Sequence, residues 1–185
     1  MSESATKVFF DCEFTGLHKE TTLISIGLVA ESGERFYAEF NDYDRDQLNE
    51  WLEDNVIANL WYRGDINEFN TPDYYYYGGK NFIAEKLRGW LLQFDQVEMW
   101  GDCLAYDWVL FCDLFEHAFH IPSSVLYIPM DICTMFTLRG VDPDIGRGEF
   151  VGITTNKHNA LDDAEVIKRC YEKLEQGCLC GCKKG

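Results

Sequence analysis

Asp11 and Glu13 stand two residues apart in VFFDCEFTGL (8–17), after three apolar residues that head into a core. In a strand, residues two apart point to the same face. The two carboxylates therefore share one face, while Phe10, Cys12 and Phe14 share the other. Like charges side by side repel, and burial strips their hydration, so such a pair needs a partner or a cation. Two other segments supply comparable acids. WGDCLAYDWVLF puts Asp107 in the first turn of an otherwise apolar helix. KHNALDDAEVIKRCYEKL opens a last helix with His158, Asp162 and Asp163.

Helix phase separates the last two acids. Ala160, Ala164, Ile167, Tyr171 and Leu174 recur as one buried stripe. At about 100° per residue, Asp163 lies roughly 60° from the centre of that stripe and Asp162 roughly 160° away. Asp163 leans toward the core. Asp162 faces water as an ordinary first-turn carboxylate, favourable at the positive end of a helix. Four inward-leaning acids from three segments call for cations, and oxygen-only ligation suits Mg²⁺ or Mn²⁺. Two such ions about 3.5–4 Å apart clamp a phosphodiester for in-line attack. For any one acid alone, capping a helix or facing solvent is the simpler reading. Their convergence favours metal.

The elements that must bring these acids together follow from periodicity. Strands are expected over 7–14, 23–30 and 35–40, the last two joined by the short turn ESGE. An amphipathic helix follows near 46–60, with Leu48, Trp51 and Leu52 on its inner side, and another near 81–94. A short strand over 97–100 leads to a helix over 107–119, which stops before Pro122. A strand over 125–130 precedes a short helix with Asp131 as its N-cap. A loop over 139–156 leads to a final helix over 160–174. The expected fold is a mixed five-stranded α/β sheet, three antiparallel strands followed by alternating helices and strands, flanked by helices. The stretch WYRGDINEFNTPDYYYYGG reads as irregular. Tyr74 to Tyr77 would pack a surface loop or its edge, with base stacking as the alternative.

The chain has 185 residues, 46% hydrophobic and 15% aromatic, which suits one packed domain over 1–176. Net charge is −16, which argues against tight non-specific binding to long nucleic acid; any such function must work through a local site. No apolar run has the length of a membrane span, and MSESATK lacks the pattern of a signal peptide, so a cytoplasmic protein is expected. Of eight cysteines, Cys12, Cys103, Cys112, Cys133 and Cys170 fall in apolar segments as reduced, small hydrophobes. Cys178, Cys180 and Cys182 mark 177–185 as a flexible thiol-rich tail, with a zinc site as the alternative.

The three acidic segments resemble the three motifs of the DnaQ-like (DEDDh) 3′-5′ exonucleases. DCEFTGL resembles the first, AYDWVLF the second and HNALDDA the third. Within that family, EFTGLHKETTLISIGLVAESGERFYA, WGDCLAYDWVLFCDLF and HNALDDAEVIKRC are similar to the RNase AS-like polyadenylate-directed exoribonucleases and their phage and bacterial relatives. The resemblance implies a ribonuclease H-like fold. It implies that Asp11, Glu13, Asp107 and Asp163 bind two Mg²⁺ or Mn²⁺ ions. His158 becomes the general base, a task that a near-neutral pKa suits. Thr15, Gly16 and Leu17 would meet the substrate's 3′ end, with the leucine wedged against terminal bases. The implied partner is the 3′ end of single-stranded RNA, with DNA as the alternative, and a homodimer is a further expectation. Many members carry Asn shortly before the second-motif aspartate; Asp102 stands in that neighbourhood here and would alter how the terminal nucleotide is held.

Overall fold

The computed structural model describes residues 5–64, 72–154 and 158–181, with side chains as far as residue 177 in the last helix. Its centre is a six-stranded mixed sheet in the order β4-β3-β2-β1-β5-β6. Strand β1 (Thr6–Phe14) runs antiparallel to β2 (Leu23–Ala30), and β2 antiparallel to β3 (Arg35–Phe40), as expected from sequence. Strands β5 (Val97–Gly101) and β6 (Met130–Asp131) add parallel pairings beyond β1.

The strand count is six rather than five because the tyrosine run is itself a strand. β4 (Tyr75–Gly78) pairs parallel with β3 and closes that edge. Tyrosine suits a half-buried pleated edge, which is the environment found. The strand expected over 125–130 is shorter. Val125 makes only an isolated bridge to Val97, and regular pairing resumes at Met130. Pro129 lies between them and has no N–H to give to a ladder.

Helices cover both faces. On one, Val8 and Phe10 meet Ile83 and Leu87 of α2 (Lys80–Leu91) and Phe111 of α3 (Ala105–Leu114). On the other, Phe9 meets Phe136 of α4 (Ile132–Leu138) and Ile167 and Cys170 of α6 (Ala160–Gly181). Asp131 caps α4 as expected, accepting from the backbone N–H groups of Cys133 and Thr134. Among the described residues, no helix is long and apolar enough to cross a membrane.

Several expected boundaries move. The helix near 46–60 is a short α1 (Glu50–Asn55) between 3-10 turns at Arg45–Gln47 and Ile57–Asn59. Asn55 and Asn59 donate side-chain hydrogen bonds back to the carbonyls of Trp51 and Asn55, the local competition that shortens helices. Trp51 is on the outside, 53% exposed. Helix α3 ends at Leu114 rather than near 119, with Glu116 at φ +74° beyond it. The expected loop over 139–156 holds a one-turn helix, α5 (Arg147–Val151), ended by left-handed Gly152. Helix α6 continues to Gly181, well past 174. The expectation for the cysteine tail falls on side chains outside the described residues.

One close approach sets the geometry of the whole site. A Cβ on Gly27 of β2 would lie 2.3 Å from the backbone of Ala160 and Leu161. Only glycine lets the first turn of α6 rest on the sheet there. Gly27 pairs with Asp11 in register, so the start of α6 is brought down beside Asp11.

Candidate active site

Asp11 and Glu13 project from β1 on the face covered by α6, and Asp163 comes down from the first turn of that helix. One carboxylate oxygen from each of Asp11, Glu13 and Asp163 lies within 4.8 Å of the others. Asp107 enters from α3. The parallel pairing of β1 with β5 ends at Phe9, opposite Trp100. Beyond that point Cys12 pairs only with β2 and meets no residue of β5, and Asp107 Oδ1 accepts the hydrogen bond of its N–H at 2.9 Å. All four acids line one cavity of ≈ 410 Å³.

The electrostatics of this cluster are those of acids facing acids. Burial, then the charges of Asp107, Glu13 and Asp163, push the Asp11 carboxyl well above its ordinary range. Burial, then Asp163 and Asp107, push Glu13 up to about 8. Burial raises Asp107 to about 6 against the opposing pull of the Cys12 N–H. Carboxylates so placed must hold protons or cations. An all-oxygen set with this crowding fits hard divalent ions.

His158 is held at φ +65°, a left-handed conformation uncommon for a residue with a side chain. Its N–H donates to Asp163 Oδ2 at 2.9 Å, its Nδ1 lies 3.9 Å from Glu13 Oε1, and its ring meets Trp51 edge-on with centroids 4.9 Å apart. Buried Asn159 fixes the next position. Its Oδ1 accepts from the N–H of Asp162, while its Nδ2 donates to Tyr37 Oη and the carbonyl of Asn59. Asp163 lines the cavity and Asp162 does not, the separation that helix phase gives, although Asp162 is half-buried rather than facing water.

Leu17 is 76% exposed and stands at the rim. It lines both the acidic cavity and an adjoining one of ≈ 300 Å³ that also takes in Thr15, Gly16 and Trp51. Thr15 itself is buried, and its hydroxyl is engaged with the N–H of Thr22 and with Gln47. A Cβ on Gly16 would meet only the His18 ring, not backbone. Phe14 and Tyr106, stacked at 5.7 Å, wall the cavity between β1 and α3.

Three contributors escaped the sequence reading. Gly27 could have been found, since a glycine inside the apolar run LISIGLVA signals close backbone approach. Trp51, inward by helical spacing, stands outside because that spacing does not say where a helix ends. Arg147 had no local signal. It reaches Asp102 with two parallel hydrogen bonds, Nε to Oδ2 at 2.7 Å and Nη2 to Oδ1 at 2.9 Å. The charge of Asp102 is thereby matched at the cavity wall.

Comparison with known proteins gives concordant matches. Residues 6–174 match the family model described as the 3′-5′ exoribonuclease Rv2179c-like domain. The 3′-5′ exoribonuclease Rv2179c of Mycobacterium tuberculosis is 26% identical over 180 residues, covering 91% of this chain and 92% of that protein. Its counterpart MT2234.1 from a second strain of the species matches equally. Among solved structures, the catalytic unit (protease and nuclease domain) of Neurospora crassa Pan2 superposes with a TM-score of 0.55 at 18% identity. All of this chain is covered, but only 31% of the Pan2 chain. At that identity the likeness speaks for the fold.

Proposed function

The chain belongs to the Rv2179c-like 3′-5′ exoribonuclease domain family, and from that premise we propose that it releases 5′-mononucleotides from the 3′ end of single-stranded RNA with two divalent cations, Mg²⁺ or Mn²⁺. The observation that carries this reading is the gathering of Asp11, Glu13 and Asp163 oxygens within 4.8 Å on the floor of an open cavity. Asp107, buried in the same cavity, completes the ligand set. When bound, such cations supply charge stabilisation at the phosphoryl oxygens and a water of lowered pKa.

The protein's own groups do the rest. Glu13 and Asp163 flank His158, which takes the proton of the attacking water. The left-handed backbone at His158 and the Trp51 ring fix where the imidazole stands. Leu17, exposed at the rim, presses on the terminal base in this reading, and the Phe14–Tyr106 pair offers an aromatic wall. The acidity of the chain discourages grip on long duplex and leaves recognition to a few nucleotides near a free 3′-hydroxyl. RNA is favoured over DNA because the family and both curated relatives are described as exoribonucleases.

The test is single-turnover cleavage of a 5′-labelled RNA oligonucleotide. Cleavage should stop in EDTA, return with Mg²⁺ or Mn²⁺, and proceed from the 3′ end alone, with a 3′-phosphate resisting. His158→Ala should slow it by about 10²–10⁴-fold in a fully folded protein. Undiminished cleavage in chelator, or efficient cutting of a circular strand, would sink the reading.

A further inference from the structure

A second reactive cluster lies on the wall of the acidic cavity. Cys103 sits in the turn between β5 and α3, exposed, at φ +51°. Cys133 lies in the first turn of α4, half-buried. Their sulfurs are 3.4 Å apart. The surroundings of Cys133 are polar and specific: its S–H donates to Asp102 Oδ1 at 3.0 Å, and Arg147 Nη2 is 3.1 Å from its sulfur. Two thiols that meet at contact distance, one open to solvent and one backed by an acid and a guanidinium, form the arrangement of an attacked and a resolving cysteine.

We propose that Cys103 and Cys133 are a redox site, oxidised by hydroperoxides to a reversible disulfide that slows the nuclease. Peroxide attacks at the exposed member. The Cys103 thiolate takes an oxygen atom, the O–O bond breaks, and hydroxide leaves, giving the sulfenic acid. The Cys133 sulfur then attacks the Cys103 sulfur; the S–S bond forms, the S–O bond breaks, and the hydroxyl departs as water with the Cys133 proton, relayed through Asp102. In sum two thiols give one disulfide, and their two electrons and two protons turn hydrogen peroxide into two waters. Cys103 is the member open to solvent, so peroxide meets it first, while burial pushes the Cys133 thiol up to about 12 and keeps that sulfur protonated in the resting state.

The consequence for the cavity is geometric. An S–S bond is about 2.05 Å long, so the sulfurs must close by more than an ångström. The turn that moves carries Cys103 itself, which lines the cavity, and leads within four residues to Asp107. Displacement of a reacting constellation by about 1 Å can cost up to about 10²-fold in rate. The same atoms of Asp102, Cys103 and Cys133 could also hold a soft divalent ion. The Arg147 guanidinium already paired with Asp102 opposes a cation there.

The test uses full-length protein in which Cys178, Cys180 and Cys182 are replaced by Ser, so that only the described thiols report. After hydrogen peroxide, digestion without reductant and mass spectrometry should show the Cys103 and Cys133 peptides joined. Cleavage should slow by about tenfold and recover with dithiothreitol. Cys133→Ser should form no link and lose the reversible slowing. Absence of the joined peptide overturns the proposal, as does Cys103 oxidised alone to the sulfinic acid. A joined peptide with an unchanged rate removes the coupling to the nuclease. One Zn²⁺ bound per chain, with both thiols closed to peroxide, would assign the cluster to a metal instead. The mapping needs no activity, so failure of the proposed reaction and failure of this site give different results.

Discussion

Glu13 and Glu39 occupy one row of the sheet: Glu13 pairs with Ser25 on β2, and Ser25 pairs with Glu39 on β3. Both are carboxylates of the same length, on the same face, two strands apart. Glu39 is completely buried, yet it accepts hydrogen bonds from the N–H groups of Trp61 and Tyr62 and the hydroxyls of Tyr37 and Tyr75. Its charge is answered by neutral donors of the chain. Glu13 faces Asp11 and Asp163 instead, and its pKa climbs to about 8. Burial alone therefore does not distinguish the two. What sets Glu13 apart is the company of other acids where donors ought to be.

The contrast can be broken most forcefully at Asp163. Asp163→Asn should lower single-turnover cleavage by about 10³-fold, near 4 kcal/mol of barrier, without loss of folding. Asp162→Asn, one residue away and off the cavity, should leave most of the rate. The reverse result would mean that the register of α6 at the site is wrong. Glu39→Gln tests the other half of the row. It should lower stability by about 2–3 kcal/mol, because a charged acceptor of several hydrogen bonds is lost, and leave the rate of the folded fraction within about twofold. Denaturant melts and active-fraction kinetics on one preparation would separate the two effects. A rate collapse in a folded Glu39→Gln protein would erase the distinction.

The smallest effect is in pH. The folded-state pKa of Glu13 is raised, so its contribution to stability is present below the ordinary carboxylate range and is lost as pH rises through about 8. Asp11 and Asp107 are raised for related reasons and act with the same sign. Metal-free protein should therefore melt a few degrees lower at pH 8 than at pH 5. Mg²⁺ should raise the melting temperature more at pH 8 than at pH 5, since it binds the ionised acids. A Mg²⁺ shift that is larger at pH 5 would contradict the assignment of these acids to metal.

Sequence and structure agree where a short-range pattern decides the outcome. The alternation of β1 puts Asp11 and Glu13 on one face, and the 3.6-residue period of α6 selects Asp163 over Asp162. They part where the decision is tertiary. The tyrosine run becomes β4 only because β3 offers it an open edge. Arg147 belongs to the cavity through a five-residue helix whose own sequence, RGEFV, carries little helical signal. Glu39 looks like any strand acid until the backbone of Trp61 and Tyr62 folds over it. Donors brought from 22 and 23 residues away leave no mark in the local pattern.

The contact between Gly27 and the start of α6 also orders events in time. Asp11 and Glu13 are made before Asp107, and Asp163 emerges last of the four. Until residues beyond 163 have left the ribosome, the groove over Gly27 lies open and the acids of β1 lack the carboxylate that α6 brings. A chain still joined to its own messenger thus carries an unfinished centre. The four-acid cluster becomes complete only as α6 docks, and that delay is written into the order in which a single missing Cβ and a distant aspartate come together.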